Sequence, residues 1–582
     1  AQKRHADWQP ALMPYSVRET STMSSESYPA PAARNETEVF AVHGADPEIL
    51  AFAMAKYSRS ALSMRESLTE ISSQRAEQFL NTFYFQYGHR SIADLAHIAF
   101  AVERLSLLAA IVLVDEQRWD GQERSTRYQN FLKSGWYLPD FGQDAGAAQL
   151  YSKTIETLFA TYQRTTAAVL EVLRSRVPRP ETLKPEAYER TLKARAFDVA
   201  RYLLPLATNT SLGQIVSART LETQISRLLS HPAAEVRDLG IKLREAATGS
   251  AWNVNAQPAS AFVNKLAALE ELAAAKVSEL KSTGLGPYIH RPEEEGALPP
   301  EGSLTAEAAQ LLTREVRTAP TLVKYAQPND YEIRTRAELA HAAAELLGDL
   351  PIADAPLVDL VERTESLEVE LAATLLYSAS HHPYRQIRDL VSNFPSARVS
   401  EIVELGIRHR GKHDETLRAF RAGAQLRFDI LMDIGGFRDM HRHRRCVQII
   451  QPFTALHGYE TPKSADLGPN VDILAEAGIL ADYRAAVDSA HQASAHIAAG
   501  RAPEAAQSAL YLLPLATRIR SLFKMDFAEA QYISELRSAP AGHFSYRRVA
   551  WEMFLALQRQ HPSLAASIRA TDFTQPIDLL QR

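Results

Sequence analysis

The stretch FRDMHRHRRCVQIIQPF, residues 437–453, places Arg438, His441, Arg442, His443, Arg444 and Arg445 within eight positions. Three chemistries could use such a cluster: a metal site, a nucleic-acid patch, or a grip for an anionic ligand. His441 and His443 alternate, as metal ligands can. The arginines beside them are permanently cationic and would repel a dication. The cluster is compact, and no basic stripe extends it along a polynucleotide. Planar guanidinium groups suit phosphate or another anionic ligand best.

A second candidate set lies in the first half, at QERSTRY, residues 122–128. Glu123, Ser125 and Arg127 alternate, so on an extended segment they share one face. An acceptor, a hydroxyl and a guanidinium on one face fit a phosphorylated ligand, although a solvated charged loop would read the same way. Ahead of it, YGHRSIADLAH (87–97) leads into SIADLAHIAFAVERLSLLAAIVLVDEQ. That run is nearly continuously apolar but broken by Asp94, Glu103 and Arg104, which predicts a buried helix rather than a membrane span.

The elements that must position these residues follow from the rest of the chain. The chain has 582 residues, 46% hydrophobic and 23% charged, with a net charge of −5. That is a globular balance with no global field toward nucleic acid or anionic membrane. One cysteine, Cys446, rules out an intrachain disulfide and any site built on several thiolates, and fits a reducing, cytoplasmic setting. Its expected role is a buried thiol. The first 37 residues are polar, Ser/Pro-rich and aperiodic, and read as a flexible tail. EVFAVHG (38–44) predicts a short strand. DPEILAFAMAKYSR predicts a helix capped by Asp46 with Pro47 at its first position. Long helical patterns follow, and residues 284–302 concentrate Pro, Gly and acid as a linker would. The heptapeptide YLLPLAT occurs twice, at Tyr202–Thr208 and Tyr511–Thr517, each after an Ala-rich helix and before another helix. The simplest account is a duplicated domain, 38–285 and 330–582, joined by a linker at 286–329.

Together these residues resemble the flavin-dependent thymidylate synthase (ThyX) family. Its signature runs GHxS/T-x-x-E, RHRxxSxNExSxRY, ARxxLP, NAR, and LR followed by a His. Here it is split between the halves. The first half has Gly88, His89 and Ser91, with Asp94 for the Glu, and Gln122-Glu123-x-Ser125-x-Arg127-Tyr128 for NExSxRY. Where RHR should stand it has Asp115-Glu116-Gln117. The second half has Arg442-His443-Arg444 for RHR, then Ile449, Ile450, Pro452, Thr454 and Ala455 where NExSxRY should follow. The first half keeps Ala200-Arg201 and Ser217-Ala218-Arg219 for NAR. The second has Leu510 and Asp526-Phe527-Ala528 there, but keeps Leu536-Arg537 followed by His543.

The resemblance implies an α+β fold, two homologous domains in tandem, each a small mostly antiparallel sheet packed with long helices. It implies reductive methylation of dUMP, with methylenetetrahydrofolate and NADPH as co-substrates and FAD as cofactor. Arg442, His443, Arg444 and Ser125 would form the catalytic centre. Glu123, Ser125, Arg127, Arg201, Arg438, Arg442 and Arg537 would hold the nucleotide. His89, Ser91, Asp94, Gln122, Tyr128, Arg219, Arg442, Arg444 and His543 would hold FAD. In that family the motif's parts meet between subunits, so complementary losses predict whole sites where the two kinds of half meet, and a homodimer of this chain as a pseudo-tetramer. No metal, nucleic acid or membrane partner is implied. Gln122 for the family's Asn, and Val447 for the Ser after RHR, keep two alternatives open: one-carbon transfer to another pyrimidine nucleotide, and a non-catalytic flavin-binding scaffold.

Overall fold

A computed structural model describes residues 44–56, 92–253, 256–280, 304–312, 315–411, 416–423, 425–464, 466–468, 470–500 and 504–580, with positions 68 and 414. Its strands are β1 (His97–Ser106), β2 (Asp120–Glu123), β3 (Asn209–Ser217), β4 (Val358–Leu360), β5 (Leu426–Asp433), β6 (Val447–Ile450) and β7 (Arg518–Met525). They form two sheets, β1-β3-β2 and β4-β5-β7-β6, antiparallel throughout. The order β1-β3-β2 recurs as β5-β7-β6, with equivalent helices around it. β1 runs straight into helix Leu107–Leu113 and β5 into helix Ile434–Met440, each capped by a side chain of the strand's last residue. Ser106 accepts from Ala109 N–H, and Asp433 from Gly436 N–H. β3 leads into helix Ala218–Leu229 and β7 into helix Phe527–Ser538. The chain is therefore α+β and duplicated.

The repeated heptapeptide explains itself in this frame. The two copies lie antiparallel, backbone to backbone. Leu206 N–H donates to Leu513 O at 2.9 Å, and its mate Leu515 N–H donates to Leu204 O at 2.9 Å. Ala207 N–H donates to Tyr511 O at 2.8 Å, and Ala516 N–H to Tyr202 O at 3.0 Å. A local twofold thus relates the halves, and each copy reads the other, as at an isologous interface. Both copies are buried, and one core runs through the join, with Leu107, Tyr162 and Leu206 of the first half beside Phe428, Met432 and Leu515 of the second.

Three sequence readings change. The apolar run after Ser91 is not one buried helix. Residues 97–106 form β1, and only Leu107–Leu113 is helical. Ile98 and Val102 are buried between exposed neighbours, and a bulge at Arg104, with φ 60°, shifts the register so that Leu105 is buried too. Pairing along β3 outweighed the helix-forming Ala and Leu. Second, QERSTRY is extended only to Glu123 and turns at 126–128. Thr126 and Arg127 are consecutive and both buried, so the alternating face does not persist. Third, the expected linker includes a folded part: Ala319, Leu322, Val323 and Ala326 are buried in the first-half core. The helix after Asp46 spans Pro47–Lys56 as read. The strand at 38–44 lies, but for Gly44, outside the described residues. Among those residues no helix is long and apolar enough to cross a membrane.

Candidate functional site

Helix Ile434–Met440 carries the arginine-rich loop; its Gly435 lies against Arg201 of the first half, and its Gly436 leaves room for Ser545 of the second. A Cβ on Gly435 would sit 3.5 Å from Arg201 Nε, and one on Gly436 would sit 2.5 Å from Ser545 Oγ. Arg201 follows helix Pro185–Ala200, and its Nη1 lies 3.3 Å from Asp439 Oδ2. It is 2% exposed, and its Nε and Nη2 have no hydrogen-bond partner. Asp439 is the centre of a mixed cluster. Burial would raise its carboxyl, but Arg201 and Arg127 of the first half and Arg442 and Arg537 of the second hold it below the usual carboxylate range. The two halves of the split motif therefore converge within one chain.

Around that centre each guanidinium has its own partner. Arg127 is buried and donates to Asp198 through Nε (2.8 Å) and Nη2 (3.2 Å), to Tyr546 Oη (2.9 Å) and to the Ala541 carbonyl (3.2 Å). Little of it is left for a ligand. Glu123, at the end of β2, accepts from Arg438 Nη2 at 2.6 Å and lies 3.7 Å from Arg442 Nη2. Arg438 and Glu123 are both buried, so neither can lose the other without leaving a desolvated charge. Arg537 Nε–H donates to His443 Nε2 at 2.8 Å, which puts the His443 proton on Nδ1, 3.2 Å from Glu529. Burial lowers the His443 pKa further than Glu529 restores it, so the ring is neutral and acts by orienting Arg537.

On the other side of the loop a cleft of about 420 Å³ opens between β2, β3 and Arg444. Arg444 lies 5.3 Å over the Trp119 ring, with a buried Nη2 that has no partner. Burial lowers its pKa to about 10. Asp94 lines the same cleft and pairs with Arg118 (3.3 Å) and Arg219 (3.1 Å). Gln122 lies on the strand face of Asp120, which also lines the cleft.

Behind the loop, the first-half residues that stand where RHR would be serve as its counter-charge. Asp115 accepts from Arg418 Nη1 at 2.5 Å and faces His441 Nε2 at 3.4 Å. Burial opposes its charge, yet Arg418, His441 and Arg227 hold its carboxyl well below the ordinary range. His441 Nδ1–H donates to Gln448 Oε1 (2.7 Å), and burial lowers its pKa to about 4. Cys446 is buried against the His443 carbonyl, its pKa pushed up to about 12 by burial.

Of the residues singled out in the sequence, Arg201 pairs with Asp439 and Arg127, Arg442 and Arg537 act on its charge, with Glu123 and Arg438 paired beside Arg442 and His443 beside Arg537, while Asp94 and Arg444 line the cleft and Arg219 pairs with Asp94. Ser125 is half-buried and accepts from Arg127 N–H at 3.2 Å. Tyr128 is 55% exposed. His543 is fully buried: it meets the Asp198 carbonyl (2.9 Å) and caps helix Phe544–Gln560, so both ring nitrogens are used inside the protein. His89 and Ser91 lie outside the described residues. Sequence reasoning missed Asp439, Asp198, Tyr546, Trp119 and Arg418. Only Asp439 carried a signal, as the one acid inside the basic run.

Fold and site thus define a duplicated α+β protein with an arginine-rich centre assembled from both halves. The family model described as thymidylate synthase complementing protein matches residues 39–250 and again 359–563, so the chain belongs to that family. It is similar to the UPF0159 protein of Chlamydia muridarum, 26% identical and covering 91% of both chains, and to that of Chlamydia pneumoniae, 25% identical and covering 93% of each. It is 24% identical to UPF0159 protein Ta1429 of Thermoplasma acidophilum, covering 89% of this chain and 94% of that one. A solved structure of flavin-dependent thymidylate synthase ThyX from Helicobacter pylori, complexed with FAD and dUMP, matches 35% of this chain and 89% of its own at 18% identity, with a TM-score of 0.21.

Proposed function

We propose that the chain is a flavin-dependent thymidylate synthase-like enzyme that reductively methylates dUMP, using methylenetetrahydrofolate and NADPH as co-substrates and FAD as cofactor. The observation that carries this reading is the pairing of the two halves' motif residues inside one chain, Arg438 with Glu123 at 2.6 Å and Arg201 with Asp439 at 3.3 Å. Neither half holds a whole motif, and together they supply most of it, apart from Asp94, Gln122 and Val447. The residues at the cleft fit FAD: an aromatic face at Trp119, a buried guanidinium N–H of Arg444 with no partner, and a volume within the range of about 300–1,000 Å³ usual for small-molecule sites.

FAD held there would supply the redox chemistry. Arg444 would meet negative charge on the ring system, and Asp94 would fix Arg219 at the cleft's edge. Arg201 would offer its two unused N–H groups to the nucleotide, and Glu123 would hold Arg438 and Arg442 in place. Arg127, with most of its donors committed, would act by fixing Asp198 and Tyr546. Its saturation, with Gln122 and Val447, favours keeping a second reading, one-carbon transfer to another pyrimidine nucleotide at the same site. Two fused halves make a dimer of this chain a pseudo-tetramer with two working sites, which light scattering tests.

The decisive assay is of purified protein given dUMP, methylenetetrahydrofolate and NADPH. Yellow protein whose NADPH oxidation depends on dUMP, with dTMP as product, is expected. A colourless protein inert to every pyrimidine nucleotide would overturn the proposal.

A further inference from the structure

The arginine-rich loop holds its guanidinium groups in two different ways. Arg438 and Arg442 lie against Glu123, and Arg445 against Asp526. Among the described residues the Arg444 guanidinium has no hydrogen bond and no ion pair. Asp115 attracts it only at longer range, being bound to Arg418. Arg444 rests instead on the Trp119 ring, 5.3 Å from its centroid. That ring is fixed from the first half. Trp119 Nε1–H donates to Gln214 Oε1 at 2.8 Å, and Gln224 Nε2, 3.2 Å from the same oxygen, donates to the Leu113 carbonyl at 2.9 Å. Gln214 and Gln224 are both buried. On β2 a Cβ at Gly121 would sit 2.5 Å from the indole Cζ2, so the ring fills the space a side chain would need there. Trp119 and Arg444 both line the cleft of about 420 Å³. Through the equivalence of β2 and β6, the mates of Trp119 and Arg444 are Cys446 and Gln117. Of the two crossings, the one with the arginine has the ring.

We propose that Trp119 is a positioning residue that holds Arg444 at the cleft with its charge and N–H donors available to an anionic group of the bound ligand. A carboxylate partner would cancel the charge and take up N–H groups. An indole face attracts a cation through its ring quadrupole and leaves the in-plane N–H donors unused. The tie to Gln214 keeps the indole from turning away, since its single N–H is given inside the protein. Trp119 thus acts on the ligand through Arg444. This deepens the reading of the cleft as a flavin site and rests on it.

The test is a double-mutant cycle on the full chain: wild type, Trp119→Leu, Arg444→Ala and the two together, each titrated with FAD and each unfolded in urea. Trp119→Leu should weaken FAD binding about tenfold in the wild type, and less than about twofold once Arg444 is alanine. Trp119→Phe keeps a ring face and should bind FAD within about twofold of the wild type. In urea the two substitutions should be coupled by at least about threefold in the unfolding constant. Trp119→Met replaces Trp119→Leu should that variant not fold. Equal loss of FAD binding in both backgrounds, or a phenylalanine variant as weak as the leucine one, overturns the inference, since the indole would then act on the flavin directly or on the fold. Additive effects in urea overturn it as well. Wild-type protein that binds no FAD, with the coupling in urea intact, removes the flavin reading and leaves the hold of Trp119 on Arg444 standing.

Discussion

The two copies of the loop that follows the first helix of each half have opposite characters. Aligned through β2 and β6, Arg438 of the second half stands where the first has Ile111, Arg442-His443-Arg444 where it has Asp115-Glu116-Gln117, and Ile450 where it has Glu123. In space, Arg438 pairs with Glu123. The mates, Ile111 and Ile450, belong to the shared apolar core. One crossing of the local twofold is thus ionic and the other apolar, and Asp115 has become the counter-charge behind the arginine loop.

Three variants break or sharpen that comparison. The largest effect is expected at the ionic crossing. Glu123→Ile alone strands a buried guanidinium and should cost about 3–5 kcal/mol in chemical denaturation. Adding Arg438→Ile recreates the apolar crossing and should recover most of that loss, since apolar replacement of a buried pair is often neutral. A double variant no more stable than the single would show that the two crossings are not equivalent.

The next effect concerns the cleft. Arg444→Ala removes a charge-assisted contact worth about 1.5–3 kcal/mol, so flavin retention after gel filtration should fall about 10- to 100-fold. Gln117→Ala, at the mate position on the same cleft, removes a neutral contact worth about 0.5–1.5 kcal/mol and should matter less. Equal losses from both would mean that the charge contributes nothing there.

A third effect is read in the pH profile. The folded His441 has a pKa of about 4, below its ordinary 6.5, because burial disfavours the cation. The unfolded chain therefore binds a proton first as pH falls. This residue's share of stability is present above about pH 6.5 and is lost on descending to about 4, at up to about 1.4 kcal/mol per pH unit. His441→Val copies the first-half residue Val114 and should flatten that part of the curve. Parallel unfolding curves for the two proteins from pH 6.5 to 4 would remove His441 as the cause.

Much of this architecture could be read from the residues. YLLPLAT announced the duplication because a self-pairing segment must match itself, and the split arginine motifs pointed to contacts between the halves such as Arg438–Glu123 and Arg201–Asp439. β1 could not be read, since its apolar alternation is interrupted by the bulge at Arg104 and its partner β3 lies far along the chain. The saturation of Arg127 was equally hidden, because Asp198 and Tyr546 come from distant segments that only folding brings together. Asp439 was visible as a letter, but its meaning needed the four arginines placed around it.

The paired heptapeptides carry a consequence for how the protein assembles. Their backbone bonds are satisfied equally by the neighbouring copy in the same chain or by a copy from another molecule. During refolding at high concentration, this segment is thus the natural place for exchange between chains, giving domain-swapped dimers whose sites join the first half of one molecule to the second half of another. Within such a swapped pair every local contact described above would be kept, and only the covalent path between the halves would differ.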